Sequence, residues 1–449
     1  MRLRVPGDKS ITQRALIFAA LADGESRLRG LLPGEDPRAT AGALRQLGVE
    51  IPRLPDDGSE IRIQGRGLRG LRAPDGPLDL ANSGTGARLL LGVLAAQPFD
   101  TTVTGDPSLR SRPMRRVTTP LEAMGGRFEE LGEPDRLPIR VRGGELKPVE
   151  WETAVASAQV KSALLLGGVC GEVFVLVSEP ARSRDHTERM LALCGARTLG
   201  HWDGPRWRVE LRDPPERLEP LDFDVPGDFS SAAFFLAAGL LGGAGPELTI
   251  EDVGLNPTRT GLLSVLERMG GGVEILSRGE GGSPEPEASP ADAGGSTVGE
   301  PVGGLRVTPT DLEGIDLGGD EIVALIDEVP LVAVLGARAR GTTRITGARE
   351  LRVKETDRIH ALVKNLRTLG VKVEELEDGL IVEGTDAPLR GTVRAYDDHR
   401  IAMAFAVLGT DPANEIEVDD PDVVDVSFPG FWDTLEDLGG RGSGSRAGR

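Results

Sequence analysis

Basic and hydroxyl side chains gather where the sequence predicts its first helix. Lys9, Ser10 and Arg14 follow a Pro-Gly turn, and the apolar run 15–21 continues at helical spacing. Asp8 or Ser10 can cap this helix. Free backbone N–H groups and the positive end of the helix dipole point outward from such a terminus. The stretch therefore predicts a site for a phosphate or a carboxylate, and the alternative is a solvated helix cap.

Other charged residues also lie near predicted helix starts. Besides Lys9 and Arg14, the basic ones are Arg88, Arg112, Lys161, Arg184, Lys354, Arg358 and Arg400. Two carboxylates, Asp327 and Glu355, accompany them. A cleft that is rich in bases and also carries carboxylates is typical of acid–base chemistry on an anion. The alternative is that the basic residues only end loops.

These helix starts belong to a repeat. Helices of a first type begin near Lys9, Gly84, Gln159, Ser230, Asp327 and His399. Successive starts are 71 to 75 residues apart except for one interval of 97, which contains the Gly-, Ser- and Pro-rich segment 279–304. Helices of a second type alternate with them and end at Gly48, Gly125, Gly195, Gly270, Gly370 and Gly439. The pattern predicts six units, each with two helices and short strands, such as strands at 49–51 and 61–63.

Six such units are expected to form two domains of three units each. One domain is predicted to contain 1–8 and 227–449, because the first residues can pair with the C-terminal half of the chain. The other domain is predicted to contain 9–226. Within the first domain, 279–304 is expected to be a mobile loop and 441–449 a mobile tail.

Composition restricts the function. The 449 residues carry a formal net charge of −19, which argues against nucleic-acid binding. No apolar run approaches the roughly 20 residues that span a bilayer, so we expect a cytoplasmic protein. Cys170 and Cys194 are expected to be buried free thiols, and the four histidines show no metal-ligand spacing. No metal or other cofactor is expected.

Seven motifs in order resemble one known family, that of the 5-enolpyruvylshikimate-3-phosphate synthases. They include VPGDKSITQRAL, NSGTGAR, SAQVKSA and DDHRIAM, and the full set occupies 5–16, 82–88, 111–114, 157–163, 184–188, 350–358 and 397–403. The resemblance implies an α/β (α+β) fold of two inverted domains, each a threefold repeat of a βαβαββ-type unit, with the active site in the cleft between them. It also implies transfer of the enolpyruvyl group of phosphoenolpyruvate to the 5-hydroxyl of shikimate 3-phosphate, with release of phosphate. We expect the protein to be a monomer.

The resemblance also implies which residues bind the two substrates. Shikimate 3-phosphate is expected at Lys9, Ser10, Arg14, Ser157, Ala158, Gln159, Arg184, Asp327 and Lys354. Phosphoenolpyruvate is expected at Lys9, Gly84, Arg112, Gln159, Arg358, His399 and Arg400. The reaction needs a base and an acid, and the family pattern gives these duties to Asp327 and Glu355, with Lys9 as a proton shuttle. Gly84 leaves space beside phosphoenolpyruvate, so we expect inhibition by glyphosate.

Two alternatives remain at this point. A UDP-N-acetylglucosamine enolpyruvyl transferase shares the fold and the donor, but it normally has Asn after the first Lys and a reactive Cys in a loop. Here Ser10 follows Lys9. The second alternative is a catalytically silent binding member of the fold.

Overall fold

A computed structural model describes residues 1–276, 298–319 and 321–439, which form two compact units. Of these residues, the N-terminal unit contains 7–226 and 298–301, and the C-terminal unit contains 1–6, 227–276, 302–319 and 321–439. The predicted tail 441–449 and the part 279–297 of the predicted loop lie outside the described residues. The loop prediction is wrong for 302–304, because these residues begin a strand.

The described residues form fourteen α-helices. Those of the N-terminal unit are α1 (Lys9–Leu21), α2 (Glu35–Gln46), α3 (Gly84–Ala95), α4 (Pro107–Arg110), α5 (Arg115–Ala123), α6 (Ala158–Gly171) and α7 (His186–Leu193). Those of the C-terminal unit are α8 (Phe229–Leu240), α9 (Gly261–Arg268), α10 (Glu321–Leu325), α11 (Val329–Gly336), α12 (Arg358–Thr368), α13 (His399–Leu408) and α14 (Phe431–Asp437). Both predicted series of helices are therefore confirmed, and the short helices α4 and α10 are additional.

Short strands separate the helices. In the N-terminal unit they are β2 (Glu25–Arg29), β3 (Ile61–Gln64), β4 (Leu78–Asp79), β5 (Asp100–Thr104), β6 (Arg127–Glu130), β7 (Ile139–Arg142), β8 (Val149–Glu152), β9 (Val175–Glu179), β10 (Leu199–Asp203), β11 (Arg206–Leu211) and β12 (Asp222–Asp224). In the C-terminal unit they are β1 (Arg2–Arg4), β13 (Leu248–Gly254), β14 (Gly272–Leu276), β15 (Val302–Thr308), β16 (Asp316–Leu317), β17 (Thr342–Ile345), β18 (Val373–Leu376), β19 (Gly379–Glu383), β20 (Arg390–Val393) and β21 (Glu415–Val418).

The strands form small mixed sheets. The N-terminal unit has the sheets β12-β2-β3, β4-β5-β7-β6 and β10-β11-β9-β8, and the C-terminal unit has β1-β13-β15-β14, β16-β17-β19-β18 and β20-β21. Each sheet contains one parallel pair, for example β4 with β5, and the larger ones add antiparallel strands. The predicted pairing of the first residues with the C-terminal half is confirmed, because β1 lies parallel to β13.

The two helix types differ in burial and in how they end. Helices of the first type are buried on almost all sides, and every residue of α1 from Ile11 to Leu21 is buried. Helices of the second type expose one face and stop at a glycine with positive φ, such as 87° at Gly48. There the N–H of Val49 donates to the carbonyl of Leu44, which is the Schellman pattern that terminates a helix.

Each unit has its own apolar core. In the N-terminal unit α3 and α6 approach closely at Gly92. A Cβ added there would lie only 2.1 Å from the carbonyl oxygen of Ala163. In the C-terminal unit α8, α11 and α13 contribute buried Phe, Leu and Val side chains. None of the helices in the described part of the chain is long and apolar enough to cross a membrane.

Candidate active site

Side-chain caps fix the helix ends that carry most of the predicted site residues. Asp8 accepts a hydrogen bond from the N–H of Ile11 at 2.8 Å, and Ser83 accepts one from the N–H of Gly86 at 3.1 Å. Asp398 does the same for the N–H of Arg400 at 2.9 Å. These caps satisfy one N–H each and leave other N–H groups of the first turn facing away from the helix. Lys9, Gly84, Ala158, Arg358 and His399 are the first residues of their helices.

In the N-terminal unit the buried side chain of Arg14 has only neutral hydrogen-bond partners. Its Nε donates to Oγ1 of Thr187 at 2.8 Å, and its two terminal nitrogens donate to the carbonyl of Ser10 at 2.9 Å and to Oγ of Ser162 at 3.1 Å. Burial lowers the pKa of Arg14 to about 10, and the nearby charge of Arg184 acts in the same direction, while the carboxylates of Asp8, Glu188 and Glu300 oppose both. A bound anion would stabilise a buried cation whose hydrogen-bond partners are all uncharged.

Two arginines converge on Gly84. A Cβ at Gly84 would lie 3.0 Å from Nη1 of Arg88 and 3.2 Å from Nη1 of Arg112. Arg88 also donates to Oε1 of Gln159 at 2.9 Å, and Gln159 donates to Oγ1 of Thr85 at 3.1 Å. The start of α3 therefore presents two guanidinium groups and an amide beside a residue without a side chain. Planar guanidinium groups suit the bidentate binding of carboxylate or phosphate oxygens.

Further predicted residues lie at the start of α6 and before α7. The N–H of Ser157 donates to Oε1 of Glu179 at 2.8 Å, and Ala158 follows as the first residue of α6. Arg184 lies two residues before α7. At the start of α1, Nζ of Lys9 lies 3.1 Å from Oδ2 of Asp36.

Lys161 differs from the other basic residues near helix starts. Its side chain is fully buried, and its Nζ lies 3.2 Å from Oε2 of Glu179 and 2.8 Å from Oε1 of Glu188. Although burial opposes the charge, these two carboxylates outweigh it and raise the pKa of Lys161. Lys161 is therefore a structural cation inside the N-terminal unit, and the interpretation of it as an anion-binding residue is wrong.

In the C-terminal unit the predicted residues gather around Asp327. Its Oδ1 lies 3.6 Å from Nζ of Lys354 and 3.7 Å from Nη1 of Arg358. Its backbone carbonyl accepts a hydrogen bond from Nη1 of Arg400 at 3.2 Å. His399 is buried in the first turn of α13, next to Arg400.

Arg358 contacts both predicted catalytic carboxylates, Asp327 and Glu355, and also Asp398. Its Nη2 donates to Oε2 of Glu355 at 2.6 Å, and its Nε donates to Oδ2 of Asp398 at 2.8 Å. Burial opposes the charge of Arg358, but Asp398 and Glu355 outweigh it, so the pKa of Arg358 is raised. The arrangement combines cations that can bind an anion with carboxylates that can exchange protons.

Sequence reasoning missed several members of this group. Asp398 is part of a quoted motif but received no role, although it both caps α13 and binds Arg358. Ser230 was used only to mark a helix start. Arg259 and Glu328 are both buried beside Asp327, and neither belongs to a pattern that would have signalled this. Among the described residues, no three or more His, Cys, Asp or Glu side chains are grouped as metal ligands.

Comparison with known structures first defines the class of protein. The chain is similar to an enolpyruvyl transferase from Streptomyces tendae, with a TM-score of 0.71 at 18% sequence identity over 98% of this chain and 94% of that one. At this identity the likeness establishes the fold. It is also similar to the EPSP synthase from Acinetobacter baumannii, with a TM-score of 0.80, 36% identity and coverage of 98% and 95%.

Sequence comparison then gives the particular family. The family model described as EPSP synthase (3-phosphoshikimate 1-carboxyvinyltransferase) matches residues 1–435. The chain is 47% identical to the 3-phosphoshikimate 1-carboxyvinyltransferase of Desulforamulus reducens over 437 residues, which are 97% of this chain and 96% of that protein. The chain belongs to the EPSP synthase family, as its motifs predict.

Proposed function

We propose that this chain transfers the enolpyruvyl group of phosphoenolpyruvate to the 5-hydroxyl of shikimate 3-phosphate and releases inorganic phosphate. The observation that carries the proposal is the group formed by Asp327, Lys354, Glu355, Arg358 and Arg400, in which cations and carboxylates touch at the ends of buried helices. Membership of the EPSP synthase family specifies the two substrates. The reaction belongs to aromatic amino-acid biosynthesis.

The N-terminal unit is proposed to bind shikimate 3-phosphate. Arg14 offers a buried positive charge with neutral partners, and Arg184 is near enough to influence its pKa. Lys9 and Ser10 belong to the same helix start, and Ser157, Ala158 and Gln159 come from the start of α6. Asp327 and Lys354 of the C-terminal unit complete the proposed set.

Phosphoenolpyruvate is proposed to lie where Gly84 leaves space between arginines. Arg112 and Gln159 contribute from the N-terminal unit, and Arg358, His399 and Arg400 contribute from the C-terminal unit. Lys9 contacts both substrates in this proposal. The two predicted domains, 1–8 with 227–449 and 9–226, are proposed to correspond to the two units.

The two carboxylates, Asp327 and Glu355, act as base and acid in this proposal. Asp327 accepts the proton of the 5-hydroxyl while that oxygen forms a bond to C2 of phosphoenolpyruvate, and Glu355 gives a proton to C3, so that a tetrahedral adduct carrying a methyl group forms. The bond from C2 to the phosphate oxygen then breaks, and a proton returns from the methyl group to the Glu355 carboxylate, which restores the double bond. In this proposal Lys9 is the proton shuttle to the bridging oxygen as phosphate departs.

The contact between Glu355 and Arg358 gives substrate binding a second effect. Oε2 of Glu355 accepts a hydrogen bond from Arg358 at 2.6 Å, so this carboxylate is held as a counter-ion. An anionic group of phosphoenolpyruvate that binds Arg358 competes for the same guanidinium. Glu355 is thereby released from its ion pair and can take up the proton that the acid role requires.

A coupled phosphate-release assay tests the proposal. We expect phosphate to appear only when phosphoenolpyruvate and shikimate 3-phosphate are both present, with the enolpyruvyl product in equal amount by mass spectrometry. UDP-N-acetylglucosamine as acceptor should give none. Phosphate release with the nucleotide sugar would overturn the proposal in favour of the other transferase. No phosphate release with either acceptor would overturn it in favour of a silent binding protein.

The proposal has further parts. The enzyme is proposed to act as a monomer in the cytoplasm, and sedimentation equilibrium tests the monomer. It needs no metal or other cofactor in this proposal, so dialysis against a chelator should leave its activity unchanged. Glyphosate should inhibit in competition with phosphoenolpyruvate.

A further inference from the structure

A buried polar network adjoins Asp327 and Arg400 in the C-terminal unit. Its members are Ser230 at the start of α8, Arg259 just before α9 and Glu328 just before α11. All three are buried, and Glu328 has no exposed surface. The substrate contacts proposed above use none of them, so their role needs its own explanation.

Ser230 uses the full capacity of its hydroxyl. The Oγ atom accepts hydrogen bonds from Nη2 of Arg259 at 2.6 Å and from Nη1 of Arg400 at 3.1 Å, and it donates to Oε1 of Glu328. A serine hydroxyl has one proton to donate and two lone pairs to accept with. The two arginines and the glutamate are therefore held in one arrangement around a single oxygen.

Arg259 extends this arrangement to Asp327. Its Nη1 lies 3.3 Å from Oε1 of Glu328 and 3.6 Å from Oδ2 of Asp327. The other oxygen of Asp327, Oδ1, faces Lys354 and Arg358. Because cations of different elements face its two oxygens, the carboxylate of Asp327 has a preferred rotation about its Cβ–Cγ bond.

We propose that Arg259 is a positioning residue for enolpyruvyl transfer, which orients Asp327 directly and Arg400 through Ser230 and Glu328. This inference rests on the proposed function. Arginine suits the task because its planar guanidinium holds several acceptors in fixed directions, whereas a lysine supplies only a point charge. The result is that the base and a cation for phosphoenolpyruvate share one rigid support.

Two substitutions of Arg259 separate its charge from its shape. Arg259→Gln removes both, and we expect kcat to fall about 100-fold, because the base is misplaced, and KM for phosphoenolpyruvate to rise, because Arg400 loses part of its support. In the Arg259→Gln variant the acidic limb of the pH profile of kcat should move to higher pH, because the loss of a cation beside Asp327 disfavours the ionised carboxylate. Arg259→Lys should keep that limb near its original pH and lose only about 10-fold in kcat.

Arg338→Gln is the matched control. Arg338 is a largely buried arginine of the same unit, bound to Asp411 at 2.7 Å and to the carbonyls of Thr385 and Ala387. Its loss should lower stability and leave kcat and the pH profile of the folded enzyme unchanged. Ser230→Ala provides a second variant of the network if Arg259→Gln fails to fold, and a fall of about 10-fold in kcat is expected.

The outcomes distinguish the two proposals. An active parent enzyme whose Arg259→Lys and Ser230→Ala variants keep the parent kcat would overturn the positioning role alone. So would Arg259 variants that lose no more kcat than the Arg338→Gln control and show the same pH profile. A parent enzyme that is inactive with both substrates would instead overturn the proposed function, and the positioning role with it.

Discussion

Arg14 and Arg358 are both buried guanidinium groups near helix starts, yet their surroundings are opposite. Arg14, in the N-terminal unit, has hydrogen bonds only to hydroxyl and carbonyl oxygens, and burial lowers its pKa to about 10. Arg358, in the C-terminal unit, is bound by Glu355 and Asp398, and its pKa is raised. The first cation has no hydrogen-bonded carboxylate, whereas the second is hydrogen-bonded to two and lies 3.7 Å from a third, that of Asp327.

This difference indicates how each unit treats an anion. A phosphate that binds Arg14 supplies a directly bound counter-charge, whereas the folded chain supplies only the more distant carboxylates of Asp8, Glu188 and Glu300. An anion that binds Arg358 must instead compete with Glu355 and release it. Substrate binding in the N-terminal unit is therefore expected to fill a prepared site, whereas binding in the C-terminal unit frees an acid for proton transfer.

The largest expected effect is on stability. Arg358→Gln leaves the fully buried carboxylate of Asp398 without its cation, and the free energy of unfolding should fall by about 3–5 kcal/mol. Arg14→Gln removes a cation with neutral partners and should cost less than about 1.5 kcal/mol. Urea denaturation of the two variants measures both values. Equal losses would show that the two arginines are not held differently.

A second, smaller effect concerns the space at Gly84. In Gly84→Ala the new methyl group would lie 3.0 and 3.2 Å from Arg88 and Arg112, so both guanidinium groups must shift by a few tenths of an ångström. We expect KM for phosphoenolpyruvate to rise about threefold and inhibition by glyphosate to weaken about tenfold. Steady-state kinetics at several inhibitor concentrations measures both. Unchanged inhibition would refute the role of Gly84, and Gly42→Ala, where nothing lies within 4 Å of the added methyl, is the control.

A further prediction uses the two cysteines as reporters of the N-terminal unit. Cys170 and Cys194 both lie in the N-terminal unit, and burial raises the pKa of each thiol to about 12. Alkylation of the folded protein at pH 8 should be at least about 100-fold slower than that of a free thiol. Because the folded pKa is raised, the contribution of these thiols to stability is complete below pH 9 and declines as pH rises toward 12.

The same thiols sharpen the comparison of the two units. At urea concentrations that unfold the C-terminal unit of Arg358→Gln, thiols that stay protected would show that the N-terminal unit remains folded. Thiol exposure that coincides with the loss of the C-terminal unit would show that the two units unfold together.

The helices were predictable because their signals are local. Apolar runs and capping residues placed the first-type helices within two residues of their observed starts, and the glycine after Leu47 placed the end of α2. The strand predicted at 49–51 was wrong. There the carbonyls of Ile51 and Pro52 accept hydrogen bonds from the side chain of Arg45. The alternation of residues within 49–51 does not indicate this contact.

Contacts between distant segments explain the remaining errors. Lys161 looked like an anion-binding residue because its partners, Glu179 and Glu188, come from later elements. Arg259 and Ser230 were missed for the same reason, since they meet only after α8 and the segment before α9 have packed. Charge at a helix start can be predicted from sequence, but whether a counter-ion already neutralises it depends on the fold.

Calorimetric titration with shikimate 3-phosphate alone tests the contrast between the units most directly, with the Arg14→Gln and Arg400→Gln variants beside the parent protein. Arg14→Gln should weaken binding about 100-fold, because the positive charge proposed to meet the phosphate is gone. Arg400→Gln should bind within about threefold of the parent, because Arg400 is assigned to phosphoenolpyruvate. Parent-like affinity in Arg14→Gln, or an equal loss in both variants, would contradict the account.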